Sequence, residues 1–411
     1  DGGNGCATNL TGNTSHDHRT SLFLPPVDLT TAVDPVLSMR VWSRHAAGDA
    51  TYLQAWDPDS RAWVSLTPEQ PPYDATGGES LPGWRTLGYR DGYVLAAFRL
   101  ADFTGEVVRL RLRAAMDGSW LGPGTYIDEI RLDEETADPD GDGLAGILAE
   151  TALRADPYVA DTDGDGVDDG QELADGTLPH HPSDWLGGPV WSVGTREPLT
   201  LDDGGLSTLG DLWEYGAPAQ GPLAGFSDDR AWATSLTTDH GHDRDEALYL
   251  PPIDLSGAVS PSLSMRTWFA LNNDAMTLEV WDPVLGWTHL GGVTPAYNTT
   301  DVFGYAAWRQ PSGRDLWDLV GADLSLYAGQ IVYVRVVFRS NDSWLDAGVF
   351  LDDLAVEEEG ADPDGDGLFG VLDERGTYGT DPFLADTDGD GTDDGAEVTA
   401  GTDPLDPASH P

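Results

Sequence analysis

The sequence contains no lysine. Its 21 basic side chains are all arginines, set against 72 Asp and Glu, for a formal charge of −51. A surface this acidic repels phosphate backbones and anionic headgroups, which excludes nucleic acids and membrane surfaces as expected partners. It suits metal binding and strong solvation. There is one cysteine, Cys6, in 411 residues, so no internal disulfide can form. An oxidising compartment stays open, with calcium as the alternative staple. Long apolar runs are also missing. Residues 331–338 (IVYVRVVF) are the longest candidate, and Arg335 interrupts them at strand length. No HExxH or GxSxG motif occurs, and Cys6 has no clear His partner. No catalytic module is therefore expected. No signal peptide is visible, and the opening DGGNGCATNL does not resemble a native initiation site. We expect a window from a longer, processed protein.

What the chain does have is a repeat. Residues 6–29 (CATNL…PPVDL) align without a gap with residues 232–255 (WATSL…PPIDL), at an offset of 226. DPVLSMRVW meets SPSLSMRTW, AWDP meets VWDP, DGSW meets NDSW, and YIDEIRL meets FLDDLAV. Acidic segments follow in the same order in both copies. Residues 185–231 of the second copy have no counterpart in the first. The first sandwich is therefore expected to be bare at one edge, or completed by upstream chain or by another chain.

Short stretches rich in β-branched and aromatic residues, bounded by Gly, Pro, Asn and Asp, predict strands. They lie at residues 37–42, 51–56, 107–113 and 125–132, and again at 263–269, 276–281, 331–338 and 349–356. This is the pattern of an all-β antiparallel sandwich. The expected domains are a β-sandwich at 1–136, a spacer at 137–184, a complete sandwich at 185–360 and a second spacer at 361–411. The spacers have few apolar residues beyond Leu144, Ile147 and Leu148, or Leu368, Val371 and Leu372. Each set suits one short helical turn, so metal is expected to supply most of the order.

Residues 161–172 (DTDGDGVDDGQE) and 386–397 (DTDGDGTDDGAE) match a twelve-residue calcium loop. Calcium takes six to eight oxygen ligands, and alternate Asp residues turn several oxygens inward. Candidate ligands are Asp161, Asp163, Asp165, the Val167 carbonyl, Asp169 and Glu172. Their counterparts are Asp386, Asp388, Asp390, the Thr392 carbonyl, Asp394 and Glu397. Gly166 and Gly391 allow the sharp turn. The alternative is a solvated acidic turn. An earlier loop in each spacer offers Asp138, Asp140, Asp142 and the Leu144 carbonyl, or Asp362, Asp364, Asp366 and the Leu368 carbonyl. Its twelfth position is Ala149 or Asp373. Because Glu recurs one residue later in both copies, Glu150 and Glu374 are the expected closing ligands. Asp156 and Asp381, each before Pro, either reach an adjacent ion or make an Asx turn. About four calcium ions are expected, two per spacer.

The paired DxDxDG loops resemble bacterial thrombospondin type 3 repeats, which implies calcium-wrapped, rigid spacers with little regular secondary structure. The run from WATSL to GVFLDDLAV is similar to the MAM-like jelly-roll domains attached to immune inhibitor A metalloproteases. That resemblance implies tandem antiparallel jelly-roll β-sandwiches that act as accessory modules. It also implies a structural calcium near Asp352 and Asp128, with Asp353 and Glu129 beside them; the alternative is a solvated strand end.

Other residues are read more plainly. His16, His18, His240 and His242 form HxH-like pairs, which suit zinc on a strand or sit in surface loops; the loop reading is preferred. His180 and His181 lie in a Pro-rich linker and receive no role. Cys6 aligns with Trp232 and is expected in a half-buried strand. Recurring tryptophans (Trp42 with Trp268, Trp56 with Trp281, Trp63 with Trp287) are expected in the core. Trp120 and Trp344 follow polar turns, where core anchoring is preferred over stacking on a sugar. Arg40 with Arg266, Arg85 with Arg309 and Arg111 with Arg335 are expected to pair with sheet-face carboxylates.

The expected function is therefore structural. The sequence reads as an extracellular or cell-surface calcium-binding repeat protein, a stalk, filament or surface-layer segment and not an enzyme. Its expected partners are further copies of the same unit, with surface glycans as a second class and no membrane insertion. The competing reading is a carbohydrate- or substrate-binding accessory region of a larger secreted hydrolase.

Overall fold

The structure is a computed structural model. It describes all residues except 1–5, 9–18, 47, 78, 87–92, 117–121, 185–186, 283–285, 303, 310–316, 342 and 410. The chain divides into two compact units, residues 1–180 and 181–411.

Unit 1 contains two four-stranded antiparallel sheets. One runs in the order Cys6–Ala7, Gly124–Glu134, Pro35–Arg44, Val94–Arg99. The other runs Arg19–Phe23, Leu110–Ala115, Ala50–Asp57, Ala62–Ser65. Successive strand side chains point to opposite faces, so Leu37, Met39 and Val41 enter the core together. They meet Leu53, Ala55, Leu110 and Leu112 from the other sheet, with Trp84 and Phe98 among them. The Trp84 indole N–H donates to the Pro71 carbonyl at 3.1 Å, which satisfies its polar edge inside the core.

Unit 2 repeats the plan with more strands. Its larger sheet runs Glu214–Gly216, Ala231–Ala233, Gly348–Glu358, Pro261–Ala270, Asp318–Asp323, Val293–Thr294, and Thr195–Glu197 also pairs with Gly348–Glu358. The facing sheet runs Ser207–Thr208, Asp245–Tyr249, Val334–Arg339, Ala275–Asp282, Gly286–His289. Leu263, Met265, Leu278, Val336, Phe338 and Trp308 fill the space between. All eight expected strands are present. Two of them are split, into Val107–Val108 and Leu110–Ala115, and into Ile331–Val332 and Val334–Arg339. The break falls where the chain changes partner: Ile331–Val332 pairs with Ile253–Asp254, whereas Val334–Arg339 pairs with Asp245–Tyr249 and Ala275–Asp282.

Unit 2 also buries a charged network. Arg339 donates to Asp245, Asp301 and Glu279, each at 2.9 Å, and Arg335 adds two bonds to Glu279. The two guanidinium groups hold the Glu279 carboxyl down at about 2, against the opposing effect of burial. In unit 1 the same positions are Ala115 and Gln54, and Arg111 donates to the neutral Gln54 amide oxygen instead. The loss of one arginine goes with the loss of the buried carboxylate, and the remaining Arg111, only half-buried, is left with a neutral acceptor.

Each spacer carries two short helices. They are α1 (Ile147–Leu153) and α2 (Asp169–Asp175) in unit 1, and α3 (Val371–Thr377) and α4 (Asp394–Ala400) in unit 2. One helical turn per spacer was expected, near the first loop; the second helix, starting inside the second loop, is additional. The spacers also draw order from their own sandwiches. Ile147 and Leu148 pack with Val36 and Ala97, and Tyr158 bonds Ser38 and Asp133. In unit 2 a Cβ on Gly321 would lie 2.6 Å from the Leu263 carbonyl oxygen of the paired strand and 2.7 Å from the Leu372 side chain of α3, so this strand and helix meet closely over the glycine.

Candidate metal centres

The four acidic loops share one local geometry. The first Asp of each accepts from a glycine N–H three residues on: Gly141 to Asp138 (2.8 Å), Gly164 to Asp161 (2.7 Å), Gly365 to Asp362 (2.7 Å) and Gly389 to Asp386 (2.8 Å). The fifth-position Asp accepts from the seventh-position N–H: Leu144 to Asp142, Val167 to Asp165, Leu368 to Asp366, Thr392 to Asp390. These bonds coil the loop and direct alternate carboxylates to one side. The glycine at position six has φ of +96° at Gly143 and Gly166, +100° at Gly367 and +98° at Gly391. A side chain there has room but would strain the backbone.

Coiling gathers the carboxylates. In each loop the first, third and fifth Asp bring an oxygen within 4.8 Å of one another: Asp138, Asp140 and Asp142; Asp161, Asp163 and Asp165; Asp362, Asp364 and Asp366; Asp386, Asp388 and Asp390. A fifth group joins Asp366 and Glu374 to Asp394. The ninth-position Asp of the second loop thus turns back onto the first loop's cluster. Thr387 fixes this turn, since its N–H and hydroxyl both bond Asp394, at 2.9 and 2.6 Å. Thr162 holds Asp169 the same way, at 2.8 and 2.6 Å.

The glycine after that Asp explains why the loops can meet. Gly395 N–H donates to the Asp366 carboxylate at 2.8 Å, and Gly170 N–H to Asp142 at 2.9 Å. A Cβ on Gly395 would fall 2.3 Å from the Asp366 carbonyl oxygen, and one on Gly170 2.4 Å from that of Asp142. Nothing in the sequence pattern of a single loop signals this contact. The recurrence of DDG in both copies was the available clue.

Glu150 and Glu374 are buried, whereas Ala149 and Asp373 are exposed. Burial, then repulsion from Asp140 and Asp142, pushes the Glu150 carboxyl up to about 8. Burial acts likewise on Glu374, also to about 8, with Asp364 and Asp366 opposing its charge. Asp163 rises to about 7, and Asp364 and Asp169 to about 6, with burial the largest cause in each. Buried carboxylate oxygens at Asp140, Glu150, Asp163, Asp165, Asp364, Glu374, Asp388, Asp390 and Glu397 have no hydrogen-bond partner. Such atoms fit a hard cation. The donors are all oxygens, and no His or Cys joins a cluster among the described residues. That set suits calcium better than zinc or copper.

Other expected residues land elsewhere. Asp352 is buried and accepts N–H bonds from Phe226 (2.5 Å), Ser227 (3.1 Å) and Asp353 (2.9 Å). It pins the loop before strand Ala231–Ala233. Asp353 and Glu129 sit at a bulge with φ of +42° and +46°. Neither Asp352 nor Asp128 enters a cluster among the described residues. Asp156 and Asp381 make Asx-turn bonds to Tyr158 and Phe383 and pair with Arg40 and Arg266. Of the two readings of these Asp residues, the Asx turn is the one present, with an arginine added.

Several expectations are corrected. His240 is buried, not a surface-loop residue; its Nε2 lies 3.1 Å from Asp274 and its ring packs on Phe338. His242 is exposed, and His16 and His18 lie outside the described residues. His181 is buried among Tyr249, Trp287 and Tyr333, so it anchors the start of unit 2. Cys6 is exposed instead of half-buried, because its strand has no outer neighbour among the described residues. Trp344 is 69 % exposed and does not anchor the core; Trp120 lies outside the described residues. The most deeply buried pair, Trp84 and Trp308, recurs in both copies yet was not singled out by the sequence reading.

The family model described as Bacterial TSP3 repeat matches residues 161–180 and 386–407, the second loop of each spacer with its helix. Bacillopeptidase F of Bacillus subtilis (strain 168) is 24 % identical over 178 residues, 42 % of this chain. The chain spans only 11 % of that protein's length. Among solved structures, the tandem CBM22-1–CBM22-2 domain of Paenibacillus barcinonensis Xyn10C is 10 % identical, covering 86 % of this chain and 96 % of its own, with a TM-score of 0.26. CsCBM6-3 from Clostridium stercorarium, in complex with cellobiose, is 14 % identical over 42 % of this chain and 98 % of its own, with a TM-score of 0.24. Scores this low say nothing about a ligand. Among the described residues no helix is long and apolar enough to cross a membrane.

Proposed function

We propose that this chain is a calcium-binding structural segment of a secreted or cell-surface protein, with no catalytic centre of its own. Each β-sandwich would carry a spacer stiffened by calcium, and such units would be arrayed as a stalk, filament or surface layer. The observation that supports this most is the set of buried, unpartnered carboxylate oxygens in both spacers. A fold that gathers them needs a cation to offset desolvation and mutual repulsion.

Two ions per spacer account for the groups present. In the second spacer Asp362, Asp364, Asp366, the Leu368 carbonyl, Glu374 and Asp394 would hold one. Asp386, Asp388, Asp390, the Thr392 carbonyl and Glu397 would hold the other. In the first spacer Asp138, Asp140, Asp142, the Leu144 carbonyl, Glu150 and Asp169 would form one site. Asp161, Asp163, Asp165, the Val167 carbonyl and Glu172 would form its companion. The ion supplies charge compensation and a fixed loop shape. Affinities of roughly 10⁻⁴–10⁻³ M, as in extracellular modules, would keep such sites filled outside a cell.

Calorimetric titration with calcium tests the reading and counts the ions. Chelation should then raise protease cleavage first within residues 138–184 and 361–411. No heat of binding up to about 10 mM calcium, well above the extracellular range, together with unchanged cleavage, would sink it.

A second reading is favoured by the similarity to Bacillopeptidase F, a peptidase by name. This chain would then be an accessory, substrate- or glycan-binding region of a larger secreted hydrolase. The exposed Trp344 is the residue that could stack on a sugar ring. An upstream peptidase domain in the same reading frame would favour this reading. Further 225-residue units in its place would favour the first.

A further inference from the structure

In unit 2 one segment, residues 191–216, extends four separate edges of the sandwich. Trp191–Ser192 pairs with Ile253–Asp254, and Thr195–Glu197 with Gly348–Glu358. Ser207–Thr208 pairs with Asp245–Tyr249, and Glu214–Gly216 with Ala231–Ala233. Its Trp191, Leu199, Leu206, Leu212 and Trp213 belong to the core. The matching edges of unit 1 are Val27–Asp28, the outer side of Gly124–Glu134, Arg19–Phe23 and Cys6–Ala7. No described strand of unit 1 stands where these four stand in unit 2.

The side chains record the difference. Leu22 and Phe23 are 37 % and 61 % exposed, against 0 % and 5 % for their counterparts Leu248 and Tyr249. Ile130 and Leu132 are 42 % and 41 % exposed, against 1 % and 0 % for Leu354 and Val356. Between the two sheets at this edge lies a half-open pocket of about 170 Å³, lined by Leu22, Leu112, Ala114 and Ile127 together with Thr20, Thr51 and Thr125. Apolar cavities near 150 Å³ hold a benzene-sized ring. In unit 2 the positions of Cys6, Thr51 and Ala114 hold the larger Trp232, Met276 and Phe338, and Trp213, whose indole N–H reaches the Glu246 carbonyl at 3.4 Å, joins the same core.

We infer that unit 1 is an acceptor for an extended polypeptide segment with the chemistry of residues 187–216. Such a segment pairs with the four bare edges and seats an aromatic side chain in the cavity. Unpaired strand edges with adjacent apolar pockets are the usual basis of strand addition. The internal repeat says what the occupant looks like, because the same edges in unit 2 are covered by it. The inference does not depend on calcium, since it rests on the sandwich alone.

Cys6, the only cysteine, lies on the bare edge and reports on it. A synthetic peptide of residues 187–216 is added to the full chain, and thiol alkylation is timed. In a second arm the same sequence is fused ahead of residue 1 through a flexible linker, which removes the need for high affinity. The expected result is alkylation slowed about tenfold or more by saturating peptide, or by the fusion, as local protection requires. A peptide or fusion carrying Leu212→Asp and Trp213→Asp should give no protection. Unchanged alkylation in both arms would overturn the inference, as would equal protection by the doubly substituted sequence. Protection that grows with protein concentration in the absence of peptide would also overturn it and assign the edge to a second copy of the chain.

Discussion

Gly395→Ala sets two physical effects against each other. Gly395 lies in α4, where alanine is intrinsically better than glycine by about 0.8–1 kcal/mol. Propensity alone predicts a more stable spacer. The added Cβ, however, would stand 2.3 Å from the Asp366 carbonyl oxygen and 3.1 Å from its carbon. Both atoms are backbone, so no rotamer relieves the overlap. Overpacking of this kind costs about 1–3 kcal/mol. Pushing α4 away also stretches the Gly395 N–H bond to the Asp366 carboxylate, a charged hydrogen bond worth about 1.5–3 kcal/mol. The net loss is then about 1.5–5 kcal/mol, or at least roughly tenfold in calcium affinity at the site joining Asp366, Glu374 and Asp394. Calorimetric titration of the variant measures it. Gly376→Ala is the control: it lies in α3, and its Cβ would meet only Thr294 at 3.4 Å. It should raise stability by up to about 1 kcal/mol from helix propensity. If Gly395→Ala binds calcium as the parent does and melts no earlier, the close approach of the two loops is wrong.

Glu374→Gln should weaken calcium binding in the second spacer at least about tenfold, whereas Asp373→Asn should leave it unchanged, because only Glu374 faces the cluster; paired titrations decide. The metal-free chain should melt at a lower temperature at pH 8.5 than at pH 6.5. Glu150 and Glu374, raised to about 8 when folded, cost stability as pH climbs past their unfolded values through 8, because the unfolded state loses those protons first. His45, its ring held near 4 by burial, opposes this slightly as its unfolded form gives up its proton just above 6.5, and the calcium-saturated chain should keep only a smaller slope, from groups outside the clusters such as Asp352 at about 7. Trp308→Ala should cost about 3–5 kcal/mol in denaturant unfolding, as a fully buried aromatic in the core. Trp344→Ala should stay within about 0.5 kcal/mol, since that ring is largely exposed.

Strands and loops were legible in the sequence because both are local. A period of two places Leu37, Met39 and Val41 on one face, and Asp-x-Asp-x-Asp-Gly coils on itself with bonds no longer than five residues in reach. Glu recurs after position twelve in both copies, and the structure buries Glu150 and Glu374 while leaving Ala149 and Asp373 in solvent. What escaped was tertiary. Asp394 reads as a ligand of its own loop, yet it lies with Asp366, 28 positions earlier. His240 and His181 read as loop residues because nothing in their neighbours announces the aromatic rings that fold around them. Cys6 reads as half-buried because it aligns with Trp232, which is buried, but the strand that covers Trp232 comes from residues 214–216. Burial at an edge depends on a partner that the aligned residues themselves do not contain.

The same non-local contacts bear on what calcium would do for the sandwich. In unit 2 Arg266 reaches from the strand Pro261–Ala270 to Asp381. The N–H of Asp381 donates to the Thr387 hydroxyl at 2.9 Å, and that hydroxyl donates to Asp394 at 2.6 Å. Asp394 in turn stands with Asp366 and Glu374. Unit 1 repeats the first three steps: Arg40 to Asp156, Asp156 N–H to Thr162 at 2.7 Å, Thr162 to Asp169 at 2.6 Å. A hydroxyl that donates to one group and accepts from another transmits position in both directions. Filling the cluster would fix Asp394, hence Thr387 and the turn at Asp381, and so present that carboxylate to the sandwich arginine. Emptying it frees Asp394 to turn toward water, and the arginine loses the rigidity of its partner. Such an ion holds the spacer against the sandwich it follows, as well as closing a loop. Arg266→Gln should therefore make cleavage within residues 361–411 faster even in saturating calcium, while leaving the calcium stoichiometry intact. A variant that loses calcium along with its docking would place the arginine inside the metal site, and one that changes neither would break the chain of contacts at its first link.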